Sequence, residues 1–490
     1  TSHGAIVDVT TAAAVAALMA TWWLTEALPL PATALVPIAL FPLFDVLPIA
    51  EVGARYGHQF IGLFLGGFIL GLAMQRWGLH RRIALVTILL VGTKPRMLIA
   101  GFMLATALLS MFISNTATAV MLMPIAASVI LLVEQELEKL PGNADGSDDT
   151  DPGFDPDRQA DRFATALLLG IAYAASIGGM GTLIGTPPNA VLAGYIEDEF
   201  GRSISFLDWM RVGLPLVVVF LPIAWWVLVG WVYKIKLREL PGGRALIKKE
   251  LRDLGRMSRG EWIVLVVFTL TASAWLARGG LNTLGDRLDV AALANLSDTG
   301  IALIAAVALF AIPVRPREGV YAMDWETAQR LPWGVLLLFG GGLALAAGLS
   351  ATGVDRYLGS GFEVLGGLPI WLLIAIVCVL VKLLTELTSN TAVTTALLPV
   401  LAAAAFTLGV DAAPLLIATA LSASCAFMLP VATPPNAVVF SSPHLTIGKM
   451  VRAGVVLNVI GVVLVTLLLG LGGGAILPSV FLGLESVAPH

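Results

Sequence analysis

The sequence predicts an all-α polytopic membrane protein made of two inverted repeats, with about 10–11 transmembrane helices and two opposed re-entrant helical hairpins. Three observations predict it. The 490 residues are 58% hydrophobic and 13% charged, with a mean hydropathy of +0.89, whereas soluble domains are roughly 45–50% apolar and about 25% charged. A short pattern occurs twice, as Ser114-Asn115-Thr116 and Ser389-Asn390-Thr391. The basic residues, finally, gather in alternate connections between apolar runs.

The composition makes lipid the solvent for most of the chain, so the backbone must satisfy its own hydrogen bonds. Apolar runs near twenty residues without strict alternation select helices over a barrel. Cys378 and Cys425 lie in apolar runs and read as small packed hydrophobes, implying no disulfide or metal framework. The sequence starts at Thr1 with no basic stretch ahead of the first apolar run, which is therefore read as a span of a trimmed chain and not as a signal peptide.

In chain order, spans are expected at 9–27, 29–48, 60–77, 163–183, 212–233, 261–278, 300–314, 333–351, 412–429 and 453–475. Segments 97–133 and 368–407 are apolar, but the Ser-Asn-Thr motif interrupts each after too few residues to cross. Each is read as a re-entrant hairpin with the motif at its tip, since unwound backbone at membrane depth survives only against protein or a water-filled cavity. The repeat reaches beyond the tripeptide: Ser110 and Pro124 correspond to Thr385 and Pro399, and Phe64, Gly66, Gly67 and Gly78 to Phe339, Gly341, Gly342 and Gly353. A second pair, Thr186-Pro187-Pro188-Asn189 and Thr433-Pro434-Pro435-Asn436, breaks the spans that start near 163 and 412.

Placing the connection after residue 77 in the cytoplasm puts 22 of the 29 Lys and Arg residues on that side and six outside, with Lys382 within the second hairpin. The helix at 60–77 then ends inside, whereas its counterpart at 333–351 ends outside, so the halves are inverted. The chain divides into 1–133 (first-repeat spans and cytoplasm-facing hairpin), 134–162 (an acidic linker with ten acidic and three basic residues), 163–233 (the rest of the first repeat), 234–260 (a basic linker) and 261–490 (the second repeat). The basic linker suits positive-inside anchoring, with an interfacial helix in contact with anionic lipid as the alternative. Trp22-Trp23 and Trp225-Trp226 read as interfacial or packing residues, and Glu26 as a boundary residue.

Hydroxyls, an amide and two half-helix ends at each tip provide N–H donors for an anion and oxygen ligands for a small hard cation. Two such tips match a substrate with two anionic ends, or one compact dianion. Neither motif pair contains Lys or Arg, so co-bound cations must neutralise the dianion. Nor do they contain Asp or Glu, which disfavours a carboxylate proton relay. Lys382 and Glu386, four residues apart, are expected to form an ion pair on a helix face. The bland alternative for the Ser, Asn and Thr residues is hydrogen bonding between helices, but two inverted copies with matching Thr-Pro-Pro-Asn breaks speak against it. A membrane-embedded enzyme finds no nucleophile–base pair, because all five histidines sit at ends or connections. A passive channel does not need two opposed hairpins.

The paired Ser-Asn-Thr motifs, the Gly-Thr-Pro-Pro-Asn and Ala-Thr-Pro-Pro-Asn breaks, and the run from Trp22 to Pro29 resemble the divalent anion/sodium symporter family, the INDY-type dicarboxylate transporters. The resemblance covers nearly the whole chain. It implies a plasma-membrane homodimer with a scaffold and a mobile transport part that move like an elevator, importing C4-dicarboxylates such as succinate, malate or fumarate with sodium. One sodium ion would be held by Ser110, Ser114, Asn115 and Gly185, the other by Thr385, Ser389, Asn390 and Ala432. The substrate carboxylates would meet Ser114, Asn115, Thr116, Thr186 and Pro187 on one side, and Ser389, Asn390, Thr391, Thr433 and Pro434 on the other. The family usually has one more span before the Trp-Trp segment, which this sequence lacks. Sodium-independent dicarboxylate exchange and sulfate symport are the alternatives on the same fold; no nucleic-acid partner is expected.

Overall fold

A computed structural model describes residues 2–138, 155–237, 239–470, 477 and 479–481. Most of them are helical. α1 (Ser2–Thr25) leads through Pro29 into the short α2 (Leu30–Thr33) and α3 (Val36–Leu43), and then into α4 (Ile49–Arg55) and α5 (Gln59–Arg76). Pro31, Pro37 and Pro42 chop the expected 29–48 span into these pieces, because proline breaks the helical ladder after a turn or two. Trp23 is fully buried and its indole N–H points to the Leu30 carbonyl at 3.4 Å, so it packs the corner between α1 and α2.

After α6 (Leu79–Val91) comes the first hairpin, α7 (Pro95–Ser110) and α8 (Asn115–Glu138). The expected acidic linker is helical at its flanks, where α8 ends and α9 (Pro156–Gly179) begins, and its middle lies outside the described residues. α10 (Pro187–Phe200) resumes after the Thr-Pro-Pro-Asn break, and α11 (Phe206–Trp226) continues as one π-helical turn, Val227–Val232. The basic linker carries α12 (Gly243–Asp253), tied back by Arg81–Glu250 at 2.6 Å.

The second half runs from α13 (Arg259–Leu288) through α14 (Ala291–Ala294) and α15 (Asp298–Ala311) to a two-stranded ribbon, β1 (Pro313–Arg315) with β2 (Val320–Tyr321). After α16 (Trp325–Ala328) come α17 (Trp333–Thr352) and α18 (Val354–Ser360). The second hairpin is α19 (Ile370–Thr385) with α20 (Asn390–Leu408), followed by the broken pair α21 (Ala412–Ala423) and α22 (Pro434–Phe440), and by α23 (Ile447–Gly470).

The repeat seen in the sequence is structural. Gly78, which follows α5, and Gly353, which follows α17, both have φ of +74°, a left-handed turn that glycine adopts without a Cβ penalty. Gly66 lies against the Ala302 backbone and Gly341 against Ala34, so each repeat uses a glycine to bring a neighbouring helix close.

Eight helical stretches among the described residues are long and apolar enough to cross a membrane, not the ten expected. The expected spans at 29–48, 300–314 and 412–429 fall in shorter apolar helices, and that at 9–27 lies in α1. Conversely, the second arms of the hairpins, α8 with 24 residues and α20 with 19, do reach that length. Only the first arms, 16 residues each, are as short as expected. At 1.5 Å per residue these rise about 24 Å, less than the roughly 30 Å hydrocarbon core.

Candidate functional site

Both Ser-Asn-Thr motifs end a short helix and start a longer one. Four residues, Met111–Ser114, separate α7 from α8, and Glu386–Ser389 separate α19 from α20. Each serine caps the helix it opens: Ser114 Oγ accepts from the Ala117 N–H at 3.2 Å and Ser389 Oγ from the Ala392 N–H at 3.5 Å. Behind the tip, the buried Ser110 hydroxyl lies within hydrogen-bond reach of Asn115 Oδ1 and of the Ala175 carbonyl, the latter at 2.8 Å, and its one proton serves either acceptor. Thr385 repeats the arrangement, reaching Asn390 Oδ1 at 2.5 Å and the Ala423 carbonyl at 3.0 Å. Each hairpin is thus pinned to the helix that precedes a break.

The breaks are matched as well. Between α9 and α10 the chain unwinds from Met180 to Thr186, and Asn189 Nδ2 braces the loop on the carbonyls of Gly179 (3.1 Å) and Thr182 (2.7 Å). Between α21 and α22, Asn436 does the same on Ala426 (3.2 Å) and Leu429 (3.0 Å). The first loop is tight enough that a Cβ on Gly185 would meet the Gly179 carbonyl oxygen, whereas the equivalent position in the second loop is Ala432.

All ten candidate substrate residues line one cavity of about 620 Å³: Ser114, Asn115, Thr116, Thr186 and Pro187 from the first repeat, and Ser389, Asn390, Thr391, Thr433 and Pro434 from the second. Gly185 and Ala432 also line it, while Ser110 and Thr385 sit behind it, fully buried. Among its described lining residues only Arg330 and Glu26 are charged. The half-helix N-termini of α8, α10, α20 and α22 all begin at this cavity with positive partial charge that suits carboxylates; α10 and α22 open with Pro-Pro, which has no N–H, so backbone donors come from the starts of α8 and α20. The hydroxyls and amide oxygens beside them are the hard ligands that a sodium ion takes. No group of three or more His, Cys, Asp or Glu side chains among the described residues suits a transition metal.

The expected Lys382–Glu386 ion pair does not form. Both side chains are buried and turn to the second break instead. The Glu386 carboxylate accepts the N–H groups of Phe427, Met428 and Leu429 at 2.8–3.0 Å and Asn458 Nδ2 at 2.6 Å. Lys382 donates to the Cys425 carbonyl at 3.2 Å. The unwound segment exposes consecutive backbone donors, and a carboxylate that gathers three of them gains more than a solvated surface pair. Their positions in the second hairpin, opposite Ala107 and Met111 in the first, carried the signal, but i,i+4 spacing alone points to a surface pair.

A further contact ties the far end of α10 to its neighbours. Asp198 meets Arg55 at 2.7 Å and His58 at 3.5 Å, Glu197 is bonded to Gln59, and Ser350 on α17 donates to Glu199 at 3.0 Å.

A helical membrane bundle in which two hairpin tips and two broken helices converge on one cavity has the architecture of a secondary transporter and not of an enzyme. The chain belongs to the family described as the sodium:sulfate symporter transmembrane region, which it matches over residues 3–479. It is 42% identical over 450 residues, 92% of its length and 83% of the relative's, to the sodium-dependent dicarboxylate transporter SdcS of Staphylococcus saprophyticus. The protein of the same name from Staphylococcus aureus is 41% identical over the same shares. Among solved structures, the YdaH transporter of Alcanivorax borkumensis aligns over 86% of this chain and 87% of its own, with a TM-score of 0.57 and 16% identity, a likeness of fold alone.

Proposed function

We propose that this protein is a sodium-coupled symporter that imports C4-dicarboxylates such as succinate, malate or fumarate across the plasma membrane, working as a homodimer by elevator-like alternating access. The observation that carries the reading is the single cavity at which both hairpin tips and both breaks meet with no fixed cation in any of the four motifs. A dianion there needs compensating positive charge, and the two oxygen-rich networks at Ser110–Asn115 and Thr385–Asn390 are suited to supply it through sodium. In this reading Ser110, Ser114, Asn115 and Gly185 hold one ion, and Thr385, Ser389, Asn390 and Ala432 the other. The substrate carboxylates lie between Ser114, Asn115, Thr116, Thr186 and Pro187 and their counterparts Ser389, Asn390, Thr391, Thr433 and Pro434. The sodium-dependent dicarboxylate relatives favour the same substrate class.

If more than two sodium ions accompany each dianion, net positive charge moves inward. One elementary charge through 100 mV supplies roughly 2.3 kcal/mol, about a fifty-fold accumulation. Uptake of labelled succinate into proteoliposomes with and without a sodium gradient is the test. Uptake that needs the gradient and is not trans-stimulated without sodium is expected; sodium-independent exchange would overturn symport. Because the family's description names sulfate, a sulfate symporter is the second reading, and competition by sulfate against succinate separates the two.

A further inference from the structure

We propose that Arg330, at the mouth of the cavity, is a staging site that captures one substrate carboxylate on the cytoplasmic side, during release of the dianion inward and during its loading from within. The inference rests on the transport reading above and adds a residue outside the four motifs. Four observations carry it.

First, Arg330 is the one Lys or Arg among the described residues that line the cavity. The motifs hold none, so a dianion that has parted from its sodium ions meets its first fixed positive charge there. Second, this charge is unspent. Arg330 is exposed and has no ion-pair partner among the described residues, whereas its neighbour Arg76 is committed to Asp324 and the Thr327 hydroxyl. Glu26, the other charged lining residue, is at the end of α1 in a left-handed backbone (φ 51°) and does not pair with Arg330.

Third, the side chain projects from a firm base. The Arg330 N–H donates to Thr327 and the Leu331 N–H to Ala328, both at 3.1 Å. Leu331 is buried, and Pro332 leads directly into α17. Fourth, contacts set the side: Trp77 donates to the Ala322 carbonyl at 2.8 Å while Arg81 and Arg82 meet Glu250 and Glu261 at 2.6 and 2.7 Å, so the connection at 315–330 lies at the same end of the bundle as the basic stretch 234–259, which the positive-inside bias puts in the cytoplasm. A guanidinium suits this work because its planar fork meets a carboxylate through two parallel hydrogen bonds. A cation at the rim of a low-dielectric mouth also raises the local concentration of anions.

A staging site on one face should act on one face. In proteoliposomes of fixed orientation, the half-saturating concentration of labelled succinate is measured from each side, externally by initial uptake and from the cytoplasmic side by counterflow. Arg330→Gln is expected to raise the cytoplasmic value roughly fivefold, as expected of a partly solvated charged contact, and to leave the external value unchanged. Arg330→Lys should fall between, because the charge remains and the fork is lost. The difference between Arg330→Gln and the unsubstituted protein should shrink at high ionic strength. An unchanged cytoplasmic value overturns the proposal, and so does an equal shift on both faces, which is what a purely structural role would give. Should transport prove to be sodium-independent exchange, the symport reading fails while the two-sided comparison still reports on Arg330.

Discussion

The Thr385 hydroxyl donates to Asn390 Oδ1 at 2.5 Å while its second hydrogen-bonded neighbour, the Ala423 carbonyl, is 3.0 Å away, so one threonine joins the tip of the second hairpin to the end of α21. Ser110 does the same for Asn115 and Ala175 in the first repeat. These two hydroxyls cluster three oxygens at each proposed cation site. Thr385→Val keeps the shape and removes the oxygen. It is expected to raise the sodium concentration for half-maximal uptake about tenfold, while Thr385→Ser stays near the unsubstituted value. Sodium titrations of succinate uptake decide this, and Asn115→Ala and Asn390→Ala should abolish sodium-dependent uptake altogether.

Gly185 and Ala432 occupy equivalent places in the two breaks, but only the first is crowded against a backbone carbonyl, that of Gly179. Gly185→Ala should therefore displace the first loop and destabilise the protein by about 1–3 kcal/mol, with loss of uptake. Ala432→Gly should cost under about 1 kcal/mol. Thermal unfolding in detergent, alongside uptake, compares the two; equal effects would contradict the asymmetry.

Glu386 holds the unwound segment of the second break by three N–H groups and is itself buried. Glu386→Ala leaves those buried donors without an acceptor, a loss of at least about 1–3 kcal/mol. Glu386→Gln keeps the volume and should lose less. The measurement is again the thermal midpoint, and a Glu386→Ala protein as stable as the parent would show that the carboxylate does not hold the break.

The Arg55–Asp198 pair joins α4 to the end of α10, whose beginning carries Thr186 and Pro187. If α10 moves against α4 during transport, the pair must open. It is partly exposed and contributes no more than about 1 kcal/mol, so Asp198→Ala should shift the balance between conformations up to about fivefold. A cysteine placed at Val431, which is 73% exposed and lines the cavity, reports that shift by its labelling rate, because native Cys378 and Cys425 are both buried. An unaltered rate in Asp198→Ala would count against the pair as a conformational tie.

How much was legible follows from what each signal measures. The helical membrane class was legible because composition is a sum over the chain, and lipid as solvent leaves few backbone solutions. The hairpin tips and breaks were legible because the chain carries each twice at a constant offset, so Ser114 with Ser389 and Thr186 with Thr433 could be named without coordinates. The number of full-length spans was not, because length along the sequence does not reveal where prolines such as Pro37 and Pro42 end a helix.

The sequence by itself determined the class, the repeat and the four motifs that carry the proposed chemistry. Only the tertiary structure decided that those motifs share one cavity, that Lys382 and Glu386 face the second break instead of each other, and that Arg330 and Glu26 also line the cavity. The reason is geometric. Periodicity tells which face a side chain occupies on its own helix, but partners brought together from 41 or 72 residues away, such as Phe427 and Asn458 around Glu386, are set by how helices pack.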